Sequence, residues 1–249
     1  MSLGLTFDPY ELMPFVGYIE PSTGRQELYP SLAHFFHSEQ ISGMDEHYRN
    51  YLLKLNDPEL FRLEVDGVGI GCGEKSDWEH VRMDALYAGI FMQALSNRER
   101  YGEFFENADK LSVASCSFSS DAATVLGEFI QDLHDPQGAL KVVFLGAVHD
   151  LGYIELCLDA LFANRAPQCV FALEDDGCSL GVSSFARSRA SAFSLLNASL
   201  SEDAIVENIT RRSTHIFHFQ GGADAPLTSS VVQRLLAEGV SVLPIQPKA

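Results

Sequence analysis

The sequence predicts an α/β protein in two parts, a mostly helical α+β domain over residues 1–135 and a small four-stranded parallel α/β unit over residues 139–249. Three observations carry this reading. Pro136 and Gly138 interrupt a helix-like stretch, which marks a short linker. The run Leu140–Gly146 that follows is β-branched and apolar, as a buried strand requires. Beyond it, continuous apolar runs alternate with amphipathic segments, the pattern of a parallel sheet covered on both faces and hence of an open, Rossmann-like unit.

In the first part, a small strand is expected around Phe15–Ile19 and helices over Asp45–Leu55 and Asp57–Leu63. Ser76-Asp77-Trp78-Glu79 joins an N-cap to acidic first-turn residues, opening a helix to Leu95 with Trp78, Val81, Ala85, Ala88 and Met92 on one face. Further helices are expected over Asn97–Phe105 and Ala122–Leu133. In the second part the expected strands are Val142–Leu145, Cys169–Leu173, His215–Phe219 and Val240–Pro244. The helices between them are Tyr153–Asn164, with Leu156, Ala160 and Leu161 inward, then Ser184–Ala198, Ser201–Thr210 and Ser229–Glu238. No internal repeat or low-complexity tract is visible.

Composition narrows the function classes. The chain of 249 residues is 46% hydrophobic and 20% charged, ordinary for a globular protein, and its apolar runs break before the length of a membrane span. The first residues show no basic region followed by an apolar one, so a cytoplasmic protein is expected. Five cysteines without a Cys-x-x-Cys pair suit reduced thiols, and neither structural zinc nor a cofactor is expected. A net charge of −17 disfavours broad binding to nucleic acid, and the basic pairs Arg98/Arg100, Arg187/Arg189 and Arg211/Arg212 lack interleaved aromatics.

Three stretches taken in order carry a resemblance. The first is Tyr29-Pro-Ser-Leu-Ala-His-Phe-Phe-His-Ser-Glu-Gln-Ile41. The second is Trp78-x-x-x-Arg82-Met83 running on to Phe91-Met92-Gln93, and the third joins Lys110-Leu111 to Leu126-Gly127-Glu128-Phe129. Together they resemble the NADAR family of ADP-ribose-related N-glycosidases, whose corresponding motifs read W/Y-P-T-x-E-H-Y-F-Q-A-x-K-F, a Trp-led helix, and closing K-L-V-E and L-G-x-x-L elements. The resemblance implies a NADAR-like fold and an ancestral reaction that breaks a glycosidic bond of ADP-ribose or a related ribosylated nucleotide. Such a reaction needs a carboxylate near the anomeric centre. The motif's glutamate is Ala33 here, its glutamine is His37 and its lysine Gln40. The family's D-x-x-W-G and glycine-rich turn is also missing, leaving Asp121 to stand for its aspartate. Alanine carries no proton and stabilises no charge, so the resemblance implies a pseudoenzyme unless a neighbour such as Glu27 or Glu39 replaces the lost acid.

His34 and His37, three apart on an expected helix, share one face. They could approach one metal, but no third ligand is visible, and buried, hydrogen-bonded histidines are the simpler expectation. His215 and His218 also read as structural.

In the second part, Gly146 and His149 follow the first strand, while Gly221 and Gly222 follow the strand His215–Phe219. In parallel sheets ligands bind beyond such strand ends, where backbone N–H groups are exposed. The Gln220-Gly-Gly-Ala-Asp224 loop is similar to the F-x-G-G loop of SLOG domains, and Ser183–Arg189, with Arg187 and Arg189, is similar to their phosphate-contacting segment. A SLOG-like nucleotide-binding unit is implied, without the glycine-rich first loop or the catalytic glutamate of that group.

Three functions compete. One is a degenerate NADAR-like protein that binds or senses an ADP-ribose- or NAD-like molecule, with His37 and Trp78 in one site and Gly146, His149, Arg187, Arg189, Gly221 and Gly222 in another. The second is an active N-glycosidase with rearranged chemistry, using His34 and Asp121. The third is a structural or assembly protein, a homo-oligomer or a partner of another protein, using aromatics read as exposed at Phe35, Phe36 and Tyr101.

Overall fold

The computed structural model describes residues 5–68, 74–134, 139–174, 176–220 and 224–246. The protein is mixed α/β, with a five-stranded parallel sheet. The chain divides into two compact units, Met1–Gly17 with Glu27–His134, and Tyr18–Gln26 with Asp135–Ala249. No described helix is long and apolar enough to cross a membrane.

The first unit is organised around helix α1 (Leu32–Ile41). Pro30 and Ser31 start it, and the Ser31 hydroxyl accepts from the His34 N–H, satisfying one of the first turn's orphan donors. Nearly every residue of α1 is buried, so the helix is enclosed on all sides. Phe35, Phe36 and Tyr101, read from sequence as exposed, are 0%, 4% and 0% exposed. They belong to an aromatic core in which Phe36 stacks on Phe118 and Tyr29 meets Phe35 edge to face. Aromatic residues next to charges in sequence face inward once a helix is covered on every side.

Helix α2 (Glu46–Leu52) is capped by Asp45 and helix α3 (Pro58–Arg62) by Asp57, with Pro58 at the position where a missing N–H is harmless. A π-helical turn, Leu63–Val68, follows. Helix α4 (Trp78–Ser96) starts after Asp77, whose side chain makes no capping bond. It packs against α1 through Gly89, where an added Cβ would lie 2.7 Å from both Leu32 and Phe35. Helices α5 (Arg98–Glu106) and α6 (Ser119–His134) complete the helical part. Two short strands, β1 (Thr6–Phe7) and β4 (Ser112–Val113), pair in parallel, and β2 (Phe15–Glu20) and β3 (Arg25–Tyr29) form a hairpin.

The second unit holds the parallel sheet, made of β5 (Lys141–Leu145), β6 (Cys169–Leu173), β7 (Ala192–Leu196), β8 (His215–Phe219) and β9 (Leu243–Ile245). Their order across the sheet is β7-β6-β5-β8-β9. The helices are α7 (Leu151–Leu161), α8 (Ser179–Ser188), α9 (Glu202–Arg212) and α10 (Pro226–Ala237). Strand β6 is buried throughout, which explains its uninterrupted apolar sequence.

Five strands replace the four expected, because Ser184–Ala198 is not one helix. Helix α8 ends at Ser188, and Ala192–Leu196 pairs in parallel with β6 from Cys169↔Ala192 to Leu173↔Leu196. The stop is a Schellman turn: the Ser191 N–H reaches the Ala186 carbonyl at 2.8 Å and the Ala190 N–H reaches Arg187 at 3.2 Å. Ala190 takes φ +50°, a left-handed conformation that such turns normally assign to glycine.

A second correction concerns α7. Its inner face is Ile154 and Leu158, both 0% exposed, whereas Leu156 is 73% and Leu161 46% exposed, and Ala160 is exposed as well. Gly181 sets this orientation, since a Cβ there would lie 2.8 Å from Ile154 Cδ1. Cys116, Cys157, Cys169 and Cys178 are free thiols, and Cys72 lies outside the described residues.

Candidate functional site

His34 is buried in α1 with both ring nitrogens engaged. Nε2 lies 2.8 Å from the Leu55 carbonyl, an acceptor only, so Nε2 carries the proton. Nδ1 is then the acceptor, and the Ser31 hydroxyl donates to it at 2.7 Å. Burial pushes the ring down to about 4, and it stacks on Phe61 at 3.7 Å. With no nitrogen left over, His34 holds the start of α1 against the Leu55 loop. Among the described residues no group of side chains could hold a metal ion.

His37, one turn later, has the opposite tautomer. The Gln40 amide donates through Nε2 to the Glu74 carboxylate at 2.8 Å, which turns Oε1 toward His37 Nδ1 at 3.2 Å. Nδ1 therefore carries the proton, and Nε2 is a bare acceptor. It is buried and has no hydrogen-bond partner among the described residues. Burial keeps this ring neutral as well, down to about 4. An unmatched buried acceptor costs about 1–3 kcal/mol.

His37 and Gln40 line a cleft of about 420 Å³, within the range of small-molecule sites. Phe36, Trp78, Phe118 and Val65 supply its apolar wall, and Glu74, Glu79, Arg82 and Ser117 its polar part. Arg82 is bonded to Asp121 and lies 3.3 Å from Glu79, so Asp121 steadies a lining residue from behind. The cleft thus gathers His37 and Trp78, with Asp121 one residue removed. His34 is excluded from it.

Ala33 is 0% exposed, and its N–H donates to the Pro9 carbonyl at 2.9 Å. Positions 33, 36, 37 and 40 fall on one face of α1, the face whose later members line the cleft. Glu27 and Glu39 are committed elsewhere. The Arg49 guanidinium grips Glu27 at 2.9 and 2.6 Å and Glu39 at 3.4 Å, and the Tyr29 hydroxyl donates to Glu27 at 2.5 Å and lies 3.2 Å from Glu39. Desolvation opposes the Arg49 charge, yet the Glu27 hydrogen bonds and neighbouring negative groups outweigh it and hold the guanidinium well above its ordinary value.

In the second unit, Gly146 ends β5 with φ +129° and the Phe219 carbonyl 2.3 Å from where a Cβ would stand, so only glycine fits. Its N–H donates to Asp176 Oδ2 at 2.7 Å, and the next N–H, of Ala147, donates to Asp224 Oδ1 at 3.2 Å. Asp224 also meets His218 Nε2 at 2.7 Å, and Thr228 donates to Asp176 at 3.2 Å. Burial raises the Asp176 carboxyl to about 6, against the lowering effect of its donors. These strand-end amides hold the chain's own carboxylates.

His149 lies beside this loop and is exposed; its Cε1 is 2.8 Å from where a Cβ of Gly177 would stand. Arg187 and Arg189 fall at the C-terminal end of α8, away from the strand ends that α8 starts from. Arg187 lies over the Tyr18 ring, and Arg189 pairs with Asp159 at 2.6 Å. The structure does not bring them to Gly146. Gly221 and Gly222 lie outside the described residues.

Sequence reasoning did not single out Glu74, Glu79, Asp176 or Asp224 as site residues. The only available signal was an isolated acidic residue in a loop or a first helical turn, too common to discriminate. The chain matches no protein-family model, and no curated protein is similar to it in sequence.

Proposed function

We propose that the first unit is a NADAR-like domain that has lost N-glycosidase chemistry and keeps its cleft to bind the nucleoside portion of an ADP-ribose- or NAD-related ligand. One observation carries the reading. Three polar positions of the first NADAR motif whose chemistry is changed, Ala33 in place of Glu, His37 of Gln and Gln40 of Lys, share one face of α1, and His37 and Gln40 line the cleft beside the Trp78 of the second motif. Ala33 offers no group to stabilise an oxocarbenium-like state. Glu27 and Glu39, the acids nearest in sequence, serve the buried Arg49 instead.

The second unit fits a Rossmann-like, SLOG-like layout in its parallel strand order. Its strand-end amides are bonded to Asp176 and Asp224, which argues for a worn site with no nucleotide bound there.

Calorimetry on the full chain with ADP-ribose, NAD and nucleosides, together with chromatographic detection of released ADP-ribose from ribosylated substrates, tests the proposal. Saturable binding without turnover is expected. Turnover above buffer supports the active-glycosidase alternative. No heat with any of these ligands at millimolar concentration leaves the scaffold alternative.

A further inference from the structure

Resting on the ligand-binding reading above, we infer that the cleft prefers a nucleoside or similar heteroaromatic of zero or positive charge over the phosphate-bearing forms. The cleft's polar complement is acceptor-rich. Glu74 and Glu79 are exposed carboxylates at its surface, and the lining residue His37 keeps a buried Nε2 acceptor that has no hydrogen-bond partner among the described residues. Its tautomer is fixed by the Glu74–Gln40–His37 relay, so it accepts and does not donate.

Arg82, the single cation among the described residues lining the cleft, is bonded to Asp121 and lies 3.3 Å from Glu79, and two carboxylates outweigh one guanidinium. A phosphate group, carrying a charge of about −2, enters a field of its own sign. A ligand ring that presents N–H or O–H donors meets the acceptors, and a positive ring gains further from the carboxylates and the aromatic wall of Phe36, Trp78 and Phe118.

The charge series adenosine, nicotinamide riboside, AMP and ADP-ribose tests this. Calorimetry gives the affinities, and the fluorescence of Trp78, the single tryptophan, reports whether binding is in the cleft. At low salt, adenosine and nicotinamide riboside are expected to bind about tenfold or more tightly than AMP and ADP-ribose, with a saturable Trp78 change. The gap should narrow in 0.5 M salt, as screening requires, and in the exposed double variant Glu74→Gln/Glu79→Gln. ADP-ribose binding more tightly than adenosine overturns this inference and leaves the proposed function standing. Nucleoside binding with no Trp78 response also overturns it, by placing the site elsewhere. Absence of binding by all four ligands removes both.

Discussion

Lowering the pH from 7 to 4.5 is expected to unfold the first unit through His34 and His37. The two rings are 0% and 5% exposed, and burial pushes each to about 4 from an ordinary 6.5. The folded values are depressed, so the unfolded chain takes up protons that the folded unit refuses. The stability these rings contribute is fully present above pH 6.5 and is lost as pH falls toward 4. At pH 4.5 each ring forfeits about 2.5 kcal/mol, and the pair about 5 kcal/mol. That rivals the whole stability of a typical domain, roughly 5–15 kcal/mol. Trp78 is 3% exposed and belongs to the same unit, so its emission is the assay. A cooperative red shift is expected between about pH 4 and 5.5, and His34→Gln with His37→Gln should move it to lower pH. Unchanged Trp78 emission down to pH 4 would refute the reasoning, because it would mean that the rings protonate without opening the core.

The second unit should respond to pH in the opposite sense. The Asp176 carboxyl is raised to about 6, so its favourable contribution is complete below the ordinary carboxylate range and is lost as pH rises through 6. Asp176→Asn should then stabilise by up to about 3 kcal/mol at pH 8 and by almost nothing at pH 4, read by urea denaturation; an equal effect at both pH values would contradict the assignment. Ala190→Gly removes a left-handed alanine and should raise the melting temperature through a gain of about 1 kcal/mol, while a loss would place the strain elsewhere. Arg49→Met removes the buried guanidinium that pairs with Glu27 and Glu39 and should destabilise by about 3–5 kcal/mol; a neutral result in thermal melts would show that the ion pairs contribute nothing net.

Some of this architecture was legible in the sequence for a physical reason. β5 and β6 are covered on both faces, so their apolar runs are unbroken and identify them. Helix α4 could be read from its buried stripe of Trp78, Ala85, Ala88 and Met92. β7 could not, because its boundary is a helix stop made by alanine in a conformation that sequence rules reserve for glycine. The face of α7 went wrong because the choice between Leu156 and Leu158 depends on Gly181, on another helix. Site residues were harder still. The bond from Gly146 to Asp176 spans 30 positions and that from Ala147 to Asp224 spans 77, distances at which no local spacing survives. The pairing of His37 with Gln40 could be seen at helical spacing, but its consequence required Glu74, 34 positions from Gln40.

Asp176 gives the carboxyl end of the central strand a further character. A carboxylate tethered to the same fold competes for the Gly146 amide at an effective concentration on the order of millimolar or above, which no dilution reduces. The protein therefore carries an intramolecular ligand at the place where parallel sheets usually receive one from solution. Any free anion arriving there competes with an inhibitor that never leaves, and emptying that seat takes a mutation or a proton.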